Sequence, residues 1–102
     1  MKILWTDPAI EDLRNLHSYI AKDSEVYANS FVERIILVVE KLTNFPRLGR
    51  AVPEAEEETI RELLYRNYRI IYRINGEMIE VVTVIHGRRD LGSFKPAAWD
   101  VD

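Results

Sequence analysis

The sequence predicts an α+β domain in which an N-terminal strand and two helices precede a sheet. Three observations carry this. Apolar residues recur at helical spacing through residues 7–44, and the period changes to two from residue 59. An Asn-Gly pair, Asn75-Gly76, then separates the last two alternating segments as a hairpin turn would. The expected architecture is a strand at residues 1–6 and an antiparallel helical hairpin at 7–44. The hairpin packs on an antiparallel sheet at 59–90, built from three C-terminal strands plus strand 1, and a tail of unassigned role follows at 91–102.

Each element has a local reason. "KILW" is short and apolar, and "TDP" stops it and starts a helix, with Thr6 or Asp7 as N-cap and Pro8 in the first turn. Ile10, Leu13, Leu16 and Ile20 form the stripe of the first helix. Ser24 or Asp23 caps a second, longer helix whose stripe is Ala28, Phe31, Val32, Ile35, Val39 and Leu42. "FPRLGRAVPE" has two prolines, a glycine and no period, so it reads as a loop. "TIRELLY", "YRIIYRI" and "MIEVVTVI" are rich in Ile, Val, Tyr and Thr and read as strands.

If Ile74 and Glu77 flank a type I′ turn, Tyr72 faces Ile79, Ile70 faces Val81 and Tyr68 faces Thr83 on the helix side. The other face then carries Arg69, Arg73, Glu80 and His86 as an open surface, with Arg88 and Arg89 at its border.

Composition excludes several function classes. Apolar residues at 47% and charged residues at 30% fit a globular domain rather than a disordered one. No apolar run is long enough to span a membrane, and the N-terminal apolar segment is too short for a signal peptide. With no cysteine, and with His17 and His86 on different elements, neither a metal site nor a cofactor is expected. The net charge of −3 argues against a general nucleic-acid polycation. The cations do cluster, however: Arg61, Arg66, Arg69, Arg73, Arg88 and Arg89 all follow the acidic "EAEEE" at 54–58. Arginine is the usual fork for phosphate or carboxylate, so the cluster is the candidate anion-gripping surface. Without a metal, such a patch permits RNA cleavage or plain docking on an acidic protein or a nucleic-acid backbone.

"WTDPAIEDLRNLHSYIAKDS", "FPRLGRAVPE", "IREL", "NYRIIYRI" and "HGRRDL" occur in order and resemble the RelE/ParE superfamily of type II toxin–antitoxin toxins, closer to its ParE branch. The resemblance spans residue 3 to about residue 91. It implies a cytoplasmic growth inhibitor neutralised by a small antitoxin of ParD-, RelB- or Phd-like type in a hetero-oligomer. RelE-type members cleave mRNA in the ribosome, whereas ParE-type members poison DNA gyrase. The RelE-like arginines match Arg69 and Arg89. The RelE-like lysines do not, because Ile60, Arg61 and Glu62 stand there, and no tyrosine follows Tyr72. "HGRRDL" resembles the His-x-Arg-x-Asp-Leu signature ending the ParE sheet, which places His86, Arg88, Asp90 and Leu91.

The resemblance thus implies a gyrase-binding toxin with Arg69, Arg73, His86, Arg88, Arg89 and Asp90 as contact surface. It also implies an antitoxin that covers Leu13, Leu16, Ile20, Phe31 and Ile35 and reaches Arg69 and Arg73. One alternative is a ribosome-dependent mRNA endonuclease using Arg69 and Arg89 on phosphate, with His86 as acid or base. Another is an inactive homologue that only binds antitoxin.

Overall fold

The structure, a computed structural model, describes residues 1–87. Arg88, Arg89, Asp90 and the tail at 91–102 lie outside the described residues. The elements are β1 (Lys2–Trp5), α1 (Asp7–Ala21), α2 (Glu25–Glu40) with a 3₁₀ turn at Lys41–Thr43, β2 (Arg50–Ala51), β3 (Ile60–Tyr65), β4 (Tyr68–Asn75) and β5 (Met78–His86). The sheet order is β1-β5-β4-β3-β2, with β1 parallel to β5 and the other pairs antiparallel. Two helices on a mixed five-stranded sheet match the predicted class. The two-residue β2, too short to carry a period, lies within the stretch that the sequence predicts as loop.

Thr6 joins the strand to the helix. Its hydroxyl donates to the Val81 carbonyl at 2.8 Å and accepts from the Ala9 amide at 3.4 Å, so one side chain caps α1 and ties it to the sheet. Ser24 caps α2 through the Tyr27 amide at 3.1 Å. His17 meets Asn29 across the hairpin at 2.6 Å, a packing role for a histidine on a helix surface.

The helix side of the sheet holds the main core, where Leu16, Phe31, Ile35 and Val39 pack against Ile70, Tyr72, Ile79 and Val81. The opposite face is not open as expected. Val52, Ile60, Ile71, Val82 and Ile85 form a second apolar cluster there, with Ala55 packed against it. The segment joining β2 to β3 therefore lies over part of that face.

The β4–β5 register differs from the predicted one. Asn75 pairs with Met78, Ile74 with Ile79, Arg73 with Glu80 and Tyr72 with Val81. The turn residues are thus Gly76 and Glu77, and positive φ falls on Gly76 alone, at 60°, the requirement of a II′ rather than a I′ turn. This register has a clear advantage. It sets isoleucine against isoleucine and Arg73 directly opposite Glu80, whereas pairing Tyr72 with Ile79 would set Arg73 against Met78.

A bulge then intervenes. Tyr72 pairs with Val81 but Ile71 pairs with Thr83, leaving Val82 as the extra residue. Asp12 of α1 meets the backbone there, its Oδ2 accepting from the Val84 amide at 3.0 Å and the Thr83 hydroxyl at 2.5 Å. The bulge resets the alternation of the strand end. His86 consequently pairs with Tyr68, not with the phase of Arg69 and Arg73, and the two rings meet edge-on at 5.7 Å.

Candidate functional site

Arg69 sits at the centre of the predicted patch, on β4, yet it is only 6% exposed. Its Nε donates to Glu62 Oε1 at 2.5 Å. Its two terminal nitrogens fork onto Glu54, with Nη1 to Oε2 at 3.0 Å and Nη2 to Oε1 at 2.9 Å. Glu62, on β3, is buried and uses its other oxygen to accept from Arg50 Nε at 2.6 Å. Two arginines and two glutamates therefore cancel in charge within one network.

The sequence builds this arrangement from three pieces. Antiparallel pairing places Glu62 opposite Ile71 and Leu64 opposite Arg69, so the Arg69–Glu62 bond runs diagonally across two strands. Arg50 arrives on β2, which pairs with β3 at Glu62. Glu54 is carried by the segment between Val52 and Ile60, whose buried side chains pin both ends. Carboxylate hydrogen bonds, first from Glu54 and then from Glu62, hold the Arg69 guanidinium above its ordinary pKa, with burial opposing them. Arg69 is a permanent cation whose field is already answered inside the fold.

A second set of bonds fixes the approach of β2. The buried Tyr72 hydroxyl donates to the Pro46 carbonyl at 2.7 Å and accepts from the Gly49 amide at 3.0 Å, and Arg61 Nε donates to the Gly49 carbonyl at 2.8 Å. A Cβ on Gly49 would stand 2.4 Å from the Glu62 carbonyl oxygen, so only glycine allows this approach. Burial raises the Tyr72 pKa above its usual value, and it raises that of Tyr68 as well.

Around Arg69 opens a cleft of about 690 Å³ lined in part by Arg50, Leu64, Arg66, Tyr68 and His86. Arg66 adopts positive φ of 56°, and its guanidinium lies 5.9 Å from the centre of the Tyr65 ring. Leu64 is 58% exposed beside it. The cleft thus offers basic, apolar and aromatic surface together.

The predicted residues are only partly brought together. Arg69 and Arg73 share a face, but each is ion-paired, Arg73 with Glu80 at 2.9 Å. His86 reaches the same cleft from the Tyr68 side of the strand end. Of the helix stripe expected to meet a partner, Leu16, Phe31 and Ile35 are buried in the chain's own core, and Leu13 and Ile20 pack against it. That stripe covers the sheet within this chain. The hairpin leaves Tyr19, Val26, Tyr27 and Leu37 exposed.

Sequence reasoning missed Glu54, Glu62 and Arg50. Glu62 had a signal, because it shares the alternation phase of the buried Ile60. Glu54 had none within the acidic run. Among the described residues, no helix is long and apolar enough to cross a membrane.

A helical hairpin packed on this mixed five-stranded sheet is the fold of the RelE/ParE toxin superfamily. Residues 3–91 match the family model described as ParE toxin of type II toxin–antitoxin system, parDE. The chain belongs to that family. It is 27% identical over 93 residues to Toxin ParE3 of Caulobacter vibrioides, covering 90% of this chain and 92% of the relative. It is also 27% identical to Toxin RelE2 of the same organism over 89 residues, covering 86% and 97%. Among solved structures it resembles the chromosomal ParDE toxin–antitoxin system from P. aeruginosa, with a TM-score of 0.71 and 25% identity over 84% of this chain and 95% of that one.

Proposed function

We propose that this toxin arrests growth in the cytoplasm by binding DNA gyrase, and that a cognate antitoxin silences it. The observation that carries this reading is the state of Arg69. A nuclease would bring that guanidinium to the scissile phosphate, where it must answer charge that develops in the transition state. Here the same guanidinium faces two carboxylates, and Glu54 stands where a phosphate would approach. Carboxylates at that position repel RNA, and the net charge of −3 gives a ribosome binder no compensating attraction. A binding surface has no such requirement. Arg66, Leu64 and His86 at the rim supply docking contacts in this reading, as do Arg88, Arg89 and Asp90, which follow in sequence, with Arg69 and Arg73 holding the sheet beneath the rim.

For the antitoxin, the exposed Tyr19, Val26, Tyr27 and Leu37 of the hairpin are the contact surface. Leu13, Ile20 and the buried stripe support it from below. The antitoxin and toxin form a hetero-oligomer.

Induced expression without antitoxin tests the reading. Growth should stop with broken or relaxed chromosomal DNA, while mapped mRNA 5′ ends stay unchanged. Cuts in message at the ribosomal decoding site would replace gyrase with the ribosome as target, and unimpeded growth would mark the chain as an inactive antitoxin-binding homologue.

A further inference from the structure

We infer that Arg66, at the tip of the hairpin joining β3 to β4, is the anchor of the docking surface and gives its guanidinium to a carboxylate on the partner protein. This role deepens the gyrase reading and rests on it for the place of docking, though not for the partner's name.

The two tight hairpins of the sheet disagree at one position. Tyr65 pairs with Tyr68 across Arg66 and Asn67, and Asn75 pairs with Met78 across Gly76 and Glu77. Each turn puts positive φ on its first central residue, 60° at Gly76 and 56° at Arg66. Glycine adopts that conformation freely, whereas the Cβ of an arginine crowds its own backbone there. Asn67, of a type that tolerates the left-handed region better, stands one place too late to relieve the turn. A long side chain kept where glycine would serve the fold points to function rather than stability.

The turn is also held in place. The Gly87 amide donates to the Asn67 carbonyl at 2.6 Å. Tyr65 and Tyr68, on either side of the turn, meet the buried Phe31 edge-on at 5.4 and 5.7 Å. Arg66 is exposed on this base, with its guanidinium beside the Tyr65 ring. A ring contact orients the flat fork without using up its hydrogen-bond donors. A side chain oriented in advance loses less entropy on docking than a mobile one.

Charge separates Arg66 from its neighbours. Arg50 and Arg69 line the same cleft but are drawn onto Glu62 and Glu54. Arg66 has no carboxylate within ion-pair distance among the described residues. The exposed Leu64 and the half-buried Tyr68 give it apolar flanks within the cleft. An exposed arginine between tyrosines is the composition of a protein–protein hot spot, and its charge selects an acidic residue opposite. Glu54 in the same cleft disfavours the dense charge of a nucleic-acid backbone.

The test places Arg66→Gly and Arg66→Lys in the whole chain, beside Arg14→Gln, which removes an equal charge from an exposed site on α1. Arg66→Gly should melt at a higher temperature than wild type, because the turn relaxes. It should also need at least about tenfold more chain than wild type to inhibit gyrase supercoiling. Arg66→Lys keeps the charge but not the fork and should fall between, while Arg14→Gln should match wild type. If wild type spares supercoiling yet arrests growth, the gyrase reading alone fails. The role of Arg66 is then read from growth, which Arg66→Gly should arrest far less than Arg14→Gln does. Potency of Arg66→Gly equal to wild type in the assay that responds would overturn the proposal. So would Arg66→Gly melting below wild type, which would make the arginine a support of the fold. Binding of a single-stranded oligonucleotide at physiological salt, lost in Arg66→Gly, would overturn it by making the partner a nucleic acid. A wild-type chain inert in both assays would overturn both readings together.

Discussion

Glu62 holds Arg69 and Arg50 at once, one carboxylate oxygen to each, at 2.5 and 2.6 Å. The carboxylate has no exposed surface, and the Arg69 side chain is 8% exposed. Removing Glu62 leaves the buried Arg69 Nε–H without its acceptor while Glu54 still balances the charge, so the loss is that of a charged hydrogen bond, about 1.5–3 kcal/mol. Glu62→Ala should therefore lower the unfolding free energy by an amount of that order, read as a fall in the urea midpoint with an unchanged m-value. Glu62→Gln, which keeps the shape, should lose less. Arg50→Ala should lose far less than either, because its side chain is 62% exposed and its pairing is screened.

The bulge at Val82 is held from outside the sheet by Asp12, through the Thr83 hydroxyl and the Val84 amide. Asp12→Ala leaves an amide and a hydroxyl without that partner, a loss of about 1–3 kcal/mol. Amide hydrogen exchange should quicken at Val84 before it does at Tyr72. Equal protection at Val84 in the variant and wild type would show that the carboxylate is incidental to the bulge.

Gly49 should be intolerant of any side chain. Gly49→Ala forces the backbone of β2 away from β3, because the added atom would meet the Glu62 carbonyl at 2.4 Å. The same movement separates Gly49 from the Tyr72 hydroxyl. Both Gly49→Ala and Tyr72→Phe should destabilise the chain. Only Gly49→Ala should also disturb the resonance of the Arg69 Nε–H, since it shifts the strand that carries Arg50.

The tyrosines predict an alkaline limit. Burial raises the pKa of Tyr72 and Tyr68 in the folded chain above the ordinary value of 10.0. Above that pH the unfolded chain releases the phenolic protons while the folded chain keeps them. Stability linked to these groups is fully present below pH 10 and declines as pH rises through the folded-state values. Chemical denaturation followed across that range should show a falling midpoint, with a shallower fall in Tyr72→Phe.

Much of the fold was legible because its signals are local. The Thr6-Asp7-Pro8 start, the Ser24 cap and the change of period at residue 59 each depend on neighbours in sequence, and α1 and the three long C-terminal strands fall within a residue or two of expectation, whereas α2 ends at Glu40 and gives way to a 3₁₀ turn. The register was not legible past the turn. An Asn-Gly pair marks a hairpin but not which residues occupy its centre, and the Val82 bulge is held by Asp12, distant in sequence. The site was legible in composition and not in state. Clustered arginines announced a patch, but their pairing with Glu54 and Glu62 depends on how the segment after β2 folds back, and no periodicity encodes that.

The most direct test of the central claim is a titration of purified chain against DNA gyrase in a supercoiling assay, read together with trapped cleavage complexes. Supercoiling should fall as the chain approaches stoichiometry with gyrase, and added antitoxin should restore it. Full supercoiling at a large excess of folded chain would contradict the account.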